Sequence, residues 1–136
     1  MIVEIFLLPI IVILVALSEY AKIKDSLPPV SDAKKAIVDQ IAEIQVAWME
    51  DFAAKYPKAA GNARKIHSSE DTVSDTSYET YLRGELMTYS DTTLALYGQF
   101  IVKLAGTGKN LAFMLMENTA HAYGYADLDA LESSLK

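Results

Sequence analysis

The sequence predicts an all-α protein, with one N-terminal transmembrane or anchor helix followed by a small bundle of three to four helices. Three observations support this. The chain opens on a long apolar run. Farther on, apolar residues recur at spacings of three and four, which places them on one face of a helix. No stretch alternates apolar and polar residues between turn pairs, as a half-buried strand would.

The apolar run that opens the chain favours a helix retained in a membrane. Residues 5–17 are all apolar, and a single glutamate, Glu4, precedes them. Residues 1–17 are close to the lower limit of about 17–25 residues that a membrane span requires. The run has no polar face, which an amphipathic surface helix would show. We therefore predict a hydrophobic anchor over residues 1–27 and a single-pass membrane protein.

Two other interpretations of the apolar run remain open. It resembles the core of a signal peptide, with "ALS" at 16–18 as the cleavage site, although no basic stretch precedes it. It also fits a helix buried inside an oligomer. If the run is an anchor, Lys22 and Lys24 after it place the following domain on the cytoplasmic side.

A proline hinge at 28–30 separates the anchor from a helical domain at 31–136. Ser31 or Asp32 is the expected N-cap of a first helix, which runs to Tyr56 and ends before Pro57. Apolar residues on one face define this helix: Ile37, Ile41, Ile44, Trp48 and Phe52.

A long polar loop is predicted at 57–76, and a second long helix at about 78–105. Thr76 and Glu79 fit a capping box at its start. Gly84 and Gly98 lie inside this helix and would let another helix approach closely. Its predicted apolar stripe is Leu82, Leu86, Tyr89, Thr93, Leu96 and Phe100.

Two shorter helices complete the predicted bundle. "GTGKN" at 106–110 breaks the second helix, and Asn110 can cap a third at 111–123. Gly124 ends that helix in the left-handed conformation. A last helix is expected at about 126–135.

Composition and charge exclude several classes of function. The net charge of −6 argues against a nucleic-acid partner, which would require a basic face. The absence of cysteine excludes disulfides, thiolate metal sites and cysteine nucleophiles. No catalytic motif is present, so we predict a protein that is not an enzyme and has no cofactor.

A metal site is the one chemical alternative that the residue pattern leaves open. Glu117 and His121 lie four residues apart on one helix face, and Glu85 could complete a ligand set. A polar pair at a helix end explains the same spacing, and we predict no metal.

Five residues are predicted to make interactions with partners. Tyrosine is enriched both in bundle cores and at interfaces, so the tyrosines favour either of these over a cofactor site. Glu4 and Pro9 belong to the anchor. The predicted interaction residues are Glu4, Pro9, Trp48, Tyr89 and Tyr97.

Residues 78–111 resemble a bacterial helical domain family of unknown function. The family pattern has Arg where this chain has Lys109, and its cysteine-containing stretch is missing here. The resemblance implies no activity. It rests on Tyr78, Arg83, Tyr89, Leu94, Tyr97 and "GKNL" at 108–111.

The first residues also resemble a mature type IV pilin. In that family a glutamate near the amino end precedes an apolar helix that packs inside a filament, and Glu4 would be that residue. Pilins have a later proline than Pro9, and a sheet that is not predicted here.

These observations predict a non-catalytic, membrane-anchored helical accessory subunit of a larger membrane protein complex. Its expected partners are membrane lipid and either other membrane-protein subunits or copies of itself, with no nucleic acid. Two alternatives are a pilin-like filament subunit and a metal-binding helical enzyme.

Overall fold

The computed structural model describes residue 22 and residues 29–136. Within these residues the protein contains six α-helices and no strand, so the prediction of an all-α fold is confirmed. Residues Ser31–Lys136 form one compact unit. The helices are α1 (Asp32–Lys55), α2 (Pro57–Gly61), α3 (Tyr78–Thr88), α4 (Asp91–Gly106), α5 (Leu111–Ala122) and α6 (Leu128–Ser134), with a 3₁₀ turn at Ser68–Glu70.

The structure corrects the membrane prediction. Over the described part of the chain, no helix is both long and apolar enough to cross a membrane. The longest helix, α1, has charged residues along its exposed side, which interrupt any apolar stretch of sufficient length. The predictions of a transmembrane helix and of a single-pass membrane protein are therefore wrong. The predicted cytoplasmic orientation of the domain depended on them and is wrong as well. The segment assigned to the anchor, 1–27, lies outside the described residues except for Lys22.

Helix α1 is the centre of the bundle and contacts α2, α3, α4 and α5. It begins where predicted, because the Ser31 side chain accepts a hydrogen bond from the backbone N–H of Lys34 at 3.1 Å. It ends at Lys55, and Pro57 then starts α2 at a position that needs no N–H donor. Its buried residues are Val38, Ile41, Ala42, Gln45, Trp48 and Phe52.

The predicted second long helix is two helices, α3 and α4. Tyr89 is extended, and the Ser90 side chain caps α4 by accepting from the backbone N–H of Thr93 at 3.1 Å. This break changes the phase of the apolar face. Leu94 and Ile101 are therefore buried, whereas Leu96 and Phe100 of the predicted stripe are exposed.

The predicted polar loop at 57–76 is more ordered than expected, since it contains α2 and the 3₁₀ turn. The predicted capping box at Thr76 is wrong: Ser77 caps α3, and the Glu79 carboxylate instead accepts from the backbone N–H of Ser68 at 3.0 Å. Asp71 accepts from the backbone N–H of Ser77 at 2.6 Å. The Thr80 hydroxyl and then the Ser77 N–H lower the pKa of Asp71, and the Ser68 N–H lowers the pKa of Glu79.

The expected start and end of α5 are confirmed, whereas α6 is shorter than the predicted helix at about 126–135. The Asn110 side chain accepts from the backbone N–H of Ala112 at 2.9 Å and starts α5. Gly124 follows α5 with a φ of 85°, the left-handed cap that favours glycine.

Helix α6 caps the start of α2. The Glu132 carboxylate of α6 accepts hydrogen bonds from the backbone N–H groups of Lys58 and Ala59, at 2.8 Å each.

Candidate functional site

A shallow groove with apolar walls lies between α1 and α4. It has a volume of about 470 Å³. All its lining residues are apolar except Gln40 and Glu43, and they come from both helices at helical spacing. They are Ile37, Gln40, Ile41, Glu43 and Ile44 of α1, and Ala95, Gly98 and Val102 of α4.

Two large apolar side chains in the lining of the groove remain exposed to solvent. Val102 of α4 is 62% exposed, and Ile37 of α1 is 37% exposed. Single exposed apolar residues are ordinary, but two that line one apolar groove from both walls are typical of a surface that binds another molecule. The groove is therefore the strongest candidate for a functional surface in the part of the chain that the structure describes.

Gly98 sets the depth of the groove. A Cβ atom at this position would lie 3.5 Å from Cδ1 of Ile41, which is ordinary van der Waals contact. An alanine would therefore fit at this distance between α1 and α4, so the close approach does not require glycine, which differs from the prediction. The missing side chain leaves space between the two walls.

A buried polar network fixes α1 against α3 and α4 close to the groove. Gln45 of α1 is only 5% exposed. Its Oε1 accepts a hydrogen bond from the Tyr78 hydroxyl at 3.2 Å, and its Nε2 donates to the Tyr97 hydroxyl at 3.0 Å. Because a buried amide needs partners for both its donor and its acceptor, this network specifies how the three helices meet.

Glu85 of α3 adds a negative charge beside these tyrosines. Its carboxylate accepts from the Tyr89 hydroxyl at 3.3 Å. Burial, and then the charge of Glu85, raise the pKa of Tyr81 and Tyr89. Burial also raises the pKa of Tyr78, with smaller contributions from Tyr97 and Glu85. These phenols therefore stay protonated and act as hydrogen-bond donors rather than as bases.

The three candidate metal ligands lie in two different settings. Glu117 and His121 are partners on the surface of α5, with Oε1 and Nε2 3.3 Å apart. The same His121 nitrogen lies 2.9 Å from the backbone oxygen of Ala126. Glu85 is bonded to a tyrosine instead. Among the described residues, no group of three or more histidine, cysteine, aspartate or glutamate side chains is placed to hold a metal ion.

The predicted interaction residues are also divided. Trp48 is 9% exposed and belongs to the core, where its backbone oxygen accepts from Asn110 at 3.2 Å. Tyr89 and Tyr97 are half-buried and pack edge to face, with ring centroids 6.0 Å apart. Glu4 and Pro9 lie outside the described residues, as does the N-terminal segment whose sequence resembles a pilin.

Sequence reasoning missed most of the groove. It placed Ile37 and Ile44 on the apolar face of α1, and it did not single out Ala95 or Val102. The signal that could have identified the groove is Ser90, followed by Asp91 at the start of a helix. A break there turns α4 about its axis, so that Leu94 and Ile101 are buried and Val102 lines the groove.

Comparison with known proteins places the chain in a family without assigning it an activity. A family model described as "Protein of unknown function (DUF4125)" matches residues 15–133. The match includes 78–111, so the predicted resemblance of that stretch to a family of unknown function is confirmed. No curated protein and no solved structure matches the chain. With most of its length covered by that model, the chain belongs to the family described as protein of unknown function (DUF4125).

Proposed function

We propose that this protein is a non-catalytic helical accessory subunit that binds a partner protein through the groove between α1 and α4. The single observation that carries the proposal is the apolar lining of this groove, in which Ile37 and Val102 remain exposed on the two walls. Covering them would remove apolar surface from water, which is the main driving force of protein association.

The rigidity of the walls supports a binding role. Gln45 ties α1 to both α3 and α4, and Ile41 and Leu94 are buried beneath the two walls. A surface held in this way loses little conformational freedom when a partner binds, so less of the binding free energy is spent on ordering it. The hydroxyls of Tyr78 and Tyr97 are both engaged in hydrogen bonds with Gln45, which supports a structural role for these tyrosines.

Site-specific photocrosslinking in the native host tests this proposal. A photoreactive phenylalanine analogue would replace Val102 in the groove, or Val73, which is fully exposed in the loop before α3 and does not line the groove. We expect a crosslinked product of one defined mass from position 102 and none of that mass from position 73. The partner would be identified by mass spectrometry.

A second variant makes the crosslinking result specific. Replacing Ile37 by Glu in the groove should reduce the yield from position 102, because a carboxylate would have to be desolvated at the contact. Equal yields of the same product from positions 102 and 73, or a yield that Ile37→Glu leaves unchanged, would overturn the proposal.

A further inference from the structure

We infer that the occupant of the groove is an amphipathic helix that carries a basic residue beside its apolar stripe. This inference rests on the proposed function, since it names the class of partner for the same groove. It follows from the spacing of the groove residues, the charge inside the groove and the charge of the whole chain.

The spacing of the walls fits a helix. On α1 the apolar lining residues are Ile37, Ile41 and Ile44, and on α4 they are Ala95, Gly98 and Val102. The first and last residues of each set are seven positions apart, which is about two helical turns or roughly 10 Å. An amphipathic helix presents apolar side chains at the same intervals, and such helices bind apolar grooves through residues at i, i+3 or i+4, and i+7.

The charge inside the groove favours a basic partner. Glu43 is the one charged residue in the lining, and it is exposed. Within the described part of the chain its carboxylate makes no ion pair or hydrogen bond, whereas Asp39, four residues earlier, is paired with Arg83. A lysine or arginine on the occupant could form an ion pair with the Glu43 carboxylate. No existing ion pair of a groove side chain would have to break for this.

The net charge argues against a second copy of this chain as the occupant. Two copies each carry a charge of −6, so they repel one another as they approach. A basic helix is instead attracted from a distance and oriented by the same field, which raises its association rate.

Fluorescence anisotropy with designed peptides tests the inference on the full chain. The probe is a labelled helical peptide of about 18 residues, or five turns, with leucines at i, i+3, i+4 and i+7 and lysines beside them. One comparison peptide has glutamate in place of every lysine, and another has the same composition in scrambled order. We expect the wild-type chain to bind the lysine peptide at low salt, and to bind the other two at least ten-fold more weakly.

A charge-swap experiment locates the basic residue opposite Glu43. The Glu43→Lys variant should bind the lysine peptide about five-fold more weakly, because an attraction at the rim becomes a repulsion. The same variant should bind the glutamate peptide more tightly than the wild-type chain does. Asp75→Lys makes the same change of charge in the loop before α3, outside the groove lining, and should leave both affinities within two-fold of wild type.

A second pair of variants tests whether the groove is the binding surface. Val102→Glu should weaken the lysine peptide at least ten-fold, whereas Val73→Glu should not change its affinity. Both side chains are exposed, so neither change should unfold the protein.

Several results would overturn the inference. One is that the wild-type chain does not bind the lysine peptide. Another is that Glu43→Lys and Asp75→Lys change the affinities equally. A third is that light scattering shows a dimer, which Val102→Glu abolishes. A crosslink from position 102 within the same chain would overturn it too. If position 102 crosslinks to a partner protein while the lysine peptide fails to bind, the proposed docking function stands and the basic helix is wrong.

Discussion

Replacing Gln45 by leucine tests the buried network that holds the two walls of the groove. The change keeps a side chain of similar size but removes both hydrogen bonds to Tyr78 and Tyr97. Each such bond contributes about 1 kcal/mol, and a buried hydroxyl without a partner costs about 1–3 kcal/mol. We expect the free energy of unfolding to fall by about 2–3 kcal/mol, and Tm to fall by about 15 °C for a unit of this size.

Urea unfolding followed by circular dichroism measures this effect. The matched control is Gln99→Leu, because Gln99 is an exposed glutamine of α4 that makes no hydrogen bond within the described residues. It should change stability by less than about 0.5 kcal/mol. In a double-mutant cycle, Gln45→Leu and Tyr78→Phe should be non-additive by about 1 kcal/mol. Additive effects, or a Gln45→Leu variant as stable as Gln99→Leu, would refute the role assigned to the network.

Three further predictions concern the stability of the bundle. Gly98→Ala should raise the free energy of unfolding by about 1 kcal/mol in a urea titration, because the added Cβ makes an ordinary contact and alanine favours the helix; destabilisation would contradict the described fit. The free energy of unfolding should fall as the pH rises above about 10, because Tyr78 has a raised pKa and keeps its proton in the folded chain while the unfolded chain loses it. Tyr78→Phe should make the free energy of unfolding fall less steeply with pH, and an unchanged slope in this variant would contradict the role assigned to Tyr78. Glu132→Ala should cost about 1–2 kcal/mol in thermal unfolding through loss of the cap on α2, and an equal loss in Ser133→Ala would argue against this cap.

The helical class and several helix ends could be predicted because they depend on local chemistry. Ser31, Asn110 and Gly124 act within one turn of the chain, and each does what its residue type favours. The break at Tyr89 and Ser90 was missed because a continuous apolar period through that point is equally consistent with one helix. Only tertiary packing selects the two-helix arrangement.

The candidate site was harder to predict for the same reason. A groove is a property of two helices, and its residues lie some 55 positions apart in the sequence, as Ile41 and Gly98 do. Trp48, which was predicted to contact a partner, is instead buried in the bundle. The membrane prediction was based on one apolar run, which lies outside the described residues, and no described helix is long and apolar enough to cross a membrane.

The most direct test of the central claim is a hydrogen-exchange footprint of the wild-type chain with and without the lysine peptide. The account predicts slower exchange on binding in two segments, 37–44 of α1 and 95–102 of α4, with no change in α6 or in the loop around Val73. Protection confined to α6 or that loop, or spread evenly over the chain, would contradict the assignment of the α1–α4 groove as the docking surface.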